Sequence, residues 1–164
     1  MWFSINIKPE DLIGKNGLQS VVSNSIEKGK YNYRLLDETK ENIFLKENIG
    51  KYSTKIKTIL DSIENSEGIS IVYSQFIEAG LIPLALTLEC NGFKKFGNNS
   101  LFATPPTNIK QEFNYMMITG DKLLTNDLKG ELKAKHLKEH VLSHQLIMGT
   151  FWWINVNTLP ANNN

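Results

Sequence analysis

Hydrophobic positions are irregular up to about residue 50 and then fall into clear periods. Ile56, Ile59, Leu60 and Ile63 recur at helical spacing behind Ser53, a suitable N-cap, so an amphipathic helix is expected before Glu67-Gly68. Ile69 to Tyr73 is a β-branched apolar run bounded by Gly68, which is how a strand buried on both faces reads. After Ser74 and Gln75 the period changes. Leu81, Leu84, Ala85 and Leu88 lie on one helical face, and Asn91-Gly92 stops the helix because glycine accepts the left-handed conformation of a C-cap. Phe93 to Phe96 then reads as a second short strand. Strand, polar turn, helix, turn, strand is one βαβ unit, and such sheets meet their ligands at the carboxyl ends of the strands. The turn Tyr73-Ser74-Gln75 is therefore the first candidate for function.

Further along, Gly97-Asn98-Asn99-Ser100 is a turn by composition, and Pro105-Pro106 forces an extended connection. Phe113 to Thr119 reads as a buried strand closed by Gly120-Asp121. A Lys-rich helix is expected from Thr125 or Asn126 to about Glu139, and Gln145 to Gly149 as a last strand. Strands alternating with helices predict an α/β fold, a parallel sheet with flanking helices. Upstream, Pro9 to Leu12 can open a helix that Gly14 and Gly17 interrupt before Leu18 to Ile26. Tyr31 to Leu36 reads either as a strand or as an aromatic stretch packed on a neighbour. The expected division is residues 1–50 as an extension or connector, 51–150 as the α/β unit, and 151–164 as a divergent tail. That tail carries no charged residue, and its Phe151, Trp152 and Trp153 need cover.

Composition narrows the function classes modestly. A chain of 164 residues with 41% hydrophobic content is a soluble single domain, and a net charge of +1 gives no global pull toward nucleic acid or membrane. The longest apolar run, Leu81 to Leu88, contains Pro83 and is too short to span a bilayer. The start Met-Trp-Phe-Ser-Ile-Asn lacks the character of a signal peptide, and Cys90, alone, excludes an internal disulfide. An intracellular, non-membrane protein is expected. Arginine occurs once, as Arg34.

The order of three motifs carries a resemblance. Gly68 to Phe93, then Gly97 to Phe102 with Pro105-Pro106, then Tyr115 to Asp121 resembles the second RecA-like (helicase C-terminal) domain of superfamily 2 helicases. Specifically, it looks like the helicase and early-transcription-factor-type proteins of large nucleocytoplasmic DNA viruses, mimivirus-like ones above all, over about residues 10–150. Ile71 to Phe76 matches the motif IV region, and Ile118-Thr119-Gly120 the strand end that follows. Through the resemblance, Tyr73, Ser74, Gln75, Thr119 and Gly120 are expected along a DNA or RNA backbone, positioning the strand without reading its sequence. A helix start that offers hydroxyl, amide and backbone donors also suits a phosphate oxygen.

The departures matter as much. No Gly-x-x-x-x-Gly-Lys-Ser/Thr loop occurs, no Walker B pair follows a buried strand, and Gln145 to Gly149 runs into Thr150-Phe-Trp-Trp where motif V is expected. Arginine fingers stabilise a transferring phosphoryl group, and Arg34 lies outside the sheet region. The expectation is a truncated helicase module without ATPase activity of its own. ATP and magnesium belong to the full-length family, and the partners would be nucleic acid and a Walker-bearing helicase domain or viral transcription subunits. A protein-interaction or vestigial module is the alternative. His136-Leu-Lys-Glu-His140 formally matches an inverted zinc-protease pattern, in which two imidazoles one helical turn apart share a zinc. No acidic residue follows His140 to complete the set, so a solvated helix face among lysines is expected instead.

Overall fold

The structure, a computed structural model, describes residues 14–36, 42–66, 69–97, 100–108, 113–125 and 145–149. The stripe after Ser53 folds as its spacing predicts. Ser53 Oγ accepts the Ile56 amide at 3.2 Å and opens a helix over Thr54–Glu64 with Leu60 and Ile63 buried. Numbered in chain order, the helices are α1 (Gly14–Gln19), α2 (Lys46–Tyr52), α3 (Thr54–Glu64) and α4 (Ile82–Cys90). The strands are β1 (Val22–Glu27), β2 (Lys30–Leu35), β3 (Ile69–Tyr73), β4 (Lys94–Lys95), β5 (Asn114–Ile118) and β6 (Gln145–Gly149).

The fold is mixed α/β with two small sheets, one of them parallel. The parallel sheet runs β3-β6-β5-β4, and its register sets Tyr73, Gly149 and Ile118 level at one end. β3 and β4, the two strands of the expected βαβ unit, therefore stand at opposite ends of the sheet, with β6 and β5 between them. Lys95, Tyr115 and Met117 face the core, because α4 covers that side. β3 is not buried on both faces as its apolar run predicts. Val72 packs against the core, whereas the described residues leave Ile71 51% and Tyr73 60% exposed on the other face. An apolar run reports hydrophobicity and not which face receives cover.

Helix α4 is central, with eight of its nine residues buried and only Pro83 half-exposed. A π turn, Ile77–Leu81, precedes it. Its polar positions are absorbed locally. Thr87 Oγ1 donates to the Pro83 carbonyl at 2.9 Å. The Glu89 carboxyl accepts from Ser100 Oγ at 2.6 Å, the Leu101 amide at 2.9 Å and Tyr115 Oη at 2.6 Å, tying helix, loop and β5 together. Cys90 is buried and free, as expected of a core thiol, and burial pushes its pKa up to about 11.

The first fifty residues depart most from expectation. Leu18 to Ile26 does not form a helix. α1 ends at Gln19, and Val22–Glu27 pairs antiparallel with Lys30–Leu35 around Lys28-Gly29, whose φ values of 53° and 74° fit a two-residue primed turn. The strand reading of the Tyr31 to Leu36 stretch holds. Tyr33 is buried, and its backbone pairs with the Leu101 carbonyl at 2.8 Å and the Ala103 amide at 3.0 Å. Leu18, Val22, Tyr33, Phe44 and Ile49 join the same core cluster as α3, α4 and β5. Residue 50 falls inside α2.

Candidate functional site

At the carboxyl edge of the parallel sheet, β3 and β5 flank β6. Tyr73 and Ile118 are both in register with Gly149, so the turns after them leave the sheet about 10 Å apart, two strand spacings. The structure thus brings Ser74-Gln75 and Thr119-Gly120, 45 positions apart in sequence, to one edge.

Each turn is held by its own hydroxyl. Ser74 Oγ accepts the Phe76 amide and donates to the Phe76 carbonyl, both at 3.1 Å, closing the chain before the π turn. Gly80 packs closely beside it: a Cβ there would lie 2.5 Å from Ser74 Oγ, and the hydroxyl would have to turn away. Thr119 Oγ1 accepts the Asp121 amide at 3.1 Å, and the Thr119 amide donates to Thr125 Oγ1 at 3.0 Å. The single Thr125 Oγ1 proton is shared between the Thr119 carbonyl at 2.7 Å and the Asp121 carbonyl at 2.8 Å. Ser74 and Thr119 shape the edge. The groups left open are others: Gln75 is exposed, Tyr73 projects into solvent, and nothing lies within 4 Å of a Cβ built on Gly120.

Beside these turns lies an open groove of about 630 Å³ that sequence reading missed. The β1–β2 hairpin and α1 form one wall, and the segments Gln75–Ala79 and Asp121–Leu124 the other. Tyr31 crosses between the walls and donates to Asp121 Oδ2 at 2.8 Å, and its pKa is raised chiefly by that hydrogen bond and then by burial. Lys15 pairs with Glu78 at 3.4 Å across the opening. Tyr33, Ile82 and Leu124, all buried, line the groove from within. The alternation Tyr31-Asn32-Tyr33 and the acid after Thr119-Gly120 were the available signals, but only pairing of the hairpin with the 101–103 segment brings them together.

His136 and His140 lie outside the described residues, as do the expected Lys-rich helix and the 151–164 tail. Among the described residues no group of three His, Cys, Asp or Glu could hold a metal. No helix among them is long and apolar enough to cross a membrane.

Comparison with known proteins gives one informative likeness. The chain is 28% identical over 168 aligned positions to a protein named "Putative helicase 087L" of Invertebrate iridescent virus 3, covering 94% of this chain. It spans 16% of that relative's length. The likeness supports a helicase-related origin. No family model matches the chain, and no solved structure matches it.

Proposed function

We propose that this chain is a nucleic-acid-contacting module of a viral superfamily 2 helicase, equivalent to part of its second RecA-like domain. The observation that carries the reading is the register of the parallel sheet, in which the strand ends that lead into the Ser74-Gln75 and Thr119-Gly120 turns stand level at the carboxyl edge, on either side of β6. That edge is where ligands of open α/β sheets bind, and the iridovirus likeness supports the helicase class. Ser74 and Thr119 hold the turns, while the Gln75 side chain and the exposed Gly120 backbone meet the phosphates. Contacts of this kind fix a strand in place and read no sequence. The chain has no phosphate-cradling Gly-Lys-Ser/Thr loop. ATP and magnesium would act through a Walker-bearing domain, and this chain alone hydrolyses no ATP.

The test is fluorescence anisotropy with a labelled single-stranded oligonucleotide at several salt concentrations. Binding should weaken as salt rises, with a log–log slope of roughly 0.7 per phosphate engaged. Gln75→Ala and Gly120→Ala should reduce it without lowering stability, since Gly120 has open space around it and no left-handed φ. No binding at low salt would remove the nucleic-acid role.

A second reading rests on Ile71, Tyr73 and Phe76, large side chains 51–60% exposed on and beyond β3. They suit a protein-interaction module, with a helicase domain or transcription subunit as partner. Pull-down of such a subunit by a chain that binds no oligonucleotide would favour it.

A further inference from the structure

The groove beside the carboxyl edge has a chemistry that phosphate contacts do not explain. Its charged lining among the described residues is Glu78, Asp121 and Lys15, and Lys15 is already paired with Glu78 at 3.4 Å. Two carboxylates against one lysine give a net charge of about −1 there, which repels a phosphate and favours a ligand that donates hydrogen bonds. Asp121 Oδ2 takes one bond from Tyr31, and Oδ1 takes the Leu123 amide at 2.8 Å. Each carboxylate oxygen accepts two bonds, so both retain capacity.

The walls are aromatic as well as acidic. Phe76 lies on the lining with 59% of its surface exposed, and Tyr31 is half-buried with its ring 6.0 Å from that of Tyr33. A flat, apolar-faced ligand with amino groups on its edge answers both features. It would cover Phe76 and present donors to Glu78 and Asp121. Gln75 belongs both to this lining and to the proposed phosphate-contacting turn. A strand held by its backbone at that turn therefore has the groove within reach of its next base.

We propose that the groove binds a nucleobase carrying an exocyclic amino group, stacked on Phe76 with its amino edge toward Glu78 and Asp121. The site deepens the nucleic-acid reading above and would discriminate adenine and cytosine from thymine or uracil. The same chemistry serves a base of a bound strand or of a free nucleotide, and the measurement separates the two. Stacking on an aromatic side chain contributes about 1–3 kcal/mol per base, roughly five- to 150-fold in affinity.

The experiment uses the full chain and two kinds of probe. Adenosine, cytidine and thymidine, which carry no phosphate, are tested by saturation-transfer NMR. Labelled oligo(dA), oligo(dC) and oligo(dT) are tested by anisotropy at low salt, with ATP as competitor. Adenosine and cytidine should show contact and thymidine little, and oligo(dA) and oligo(dC) should bind roughly tenfold more tightly than oligo(dT). Phe76→Ala should abolish the nucleoside signal, and Glu78→Gln should narrow the preference over thymidine. Phe76 is exposed, so its removal leaves the core intact, and circular dichroism checks that. Binding much tighter for oligo(dA) than for ATP assigns the groove to a strand; the reverse assigns it to a free nucleotide. Equal binding of all three oligonucleotides with no effect of Phe76→Ala overturns the base site and leaves the backbone reading standing. Nucleoside contact without oligonucleotide binding does the opposite.

Discussion

Replacing Glu89 by alanine should destabilise the fold by about 4 kcal/mol. The figure comes from what the carboxyl leaves behind. Tyr115 is 1% exposed and its hydroxyl donates to Glu89 at 2.6 Å; the Leu101 amide donates to the same oxygen at 2.9 Å. Alanine orphans both donors inside the protein, at about 1–3 kcal/mol each. Ser100 is half-buried and can turn its hydroxyl to water, so it adds little. Glutamine keeps the shape and one acceptor oxygen, and should cost only about 1–2 kcal/mol through loss of the stronger bonds to a carboxylate. In the double variant Glu89→Ala/Tyr115→Phe one orphaned donor disappears, so its loss should fall short of the sum of the single variants by about 1 kcal/mol or more. Urea unfolding followed by circular dichroism reads the wild type and the four variants, Tyr115→Phe among them. A loss below about 1 kcal/mol for Glu89→Ala, or strict additivity in the double variant, would refute the network as the tie between α4, the 100–102 loop and β5.

Two further outcomes follow from single contacts. Gly80→Ala places a methyl group 2.5 Å from Ser74 Oγ, so Ser74 must turn and give up the Phe76 amide. A loss of about 1–2 kcal/mol is expected, smaller when Ser74→Ala is added; a neutral Gly80→Ala would show that the two do not meet. Alkaline stability should fall between pH 9 and about pH 11. The Cys90 thiol loses its proton near 9 in the unfolded chain but near 11 when folded, because burial disfavours the thiolate. The native state therefore holds the extra proton, and stability declines as pH rises, by on the order of 2–3 kcal/mol across that window. Burial likewise raises Tyr115 and Tyr33, which extends the decline above pH 10. Cys90→Ala should flatten the pH 9–11 part of the curve in urea titrations at fixed pH, and an unchanged curve would contradict the assignment.

Among the described residues, the stretch from Ser53 to Ile118 was legible because its hydrophobic periods are strong. Ile56, Ile59, Leu60 and Ile63 specify α3, the Ile69 to Tyr73 and Phe113 to Thr119 runs contain strands β3 and β5, and Asn91-Gly92 ends α4 at Cys90, with Gly92 at φ 95°. Strand order was not legible, since periodicity says which residues form β3 and β4 but not that two later strands enter between them. The hairpin was hidden for a different reason. Only Val22 of β1 is buried, so Val22–Glu27 shows no alternation, and Lys28-Gly29 replaces the Asn-Gly that usually marks a primed turn. The candidate site was half legible. The turns at Ser74 and Thr119 were found, but their hydroxyls proved to face their own backbone, leaving Gln75 and Gly120 as the open groups. The groove depends on Tyr31 meeting Asp121 across 90 positions, a contact that no local pattern encodes.

The central claim is that the turns after β3 and β5 form one nucleic-acid-binding edge. Backbone amide NMR of the full chain, titrated with a single-stranded oligonucleotide at low salt, tests it most directly. Shifts at Gln75 and Gly120 should appear together, saturate at the same concentration, and fade together as salt is raised. Binding that leaves both amides unmoved, or moves one turn without the other, would contradict it.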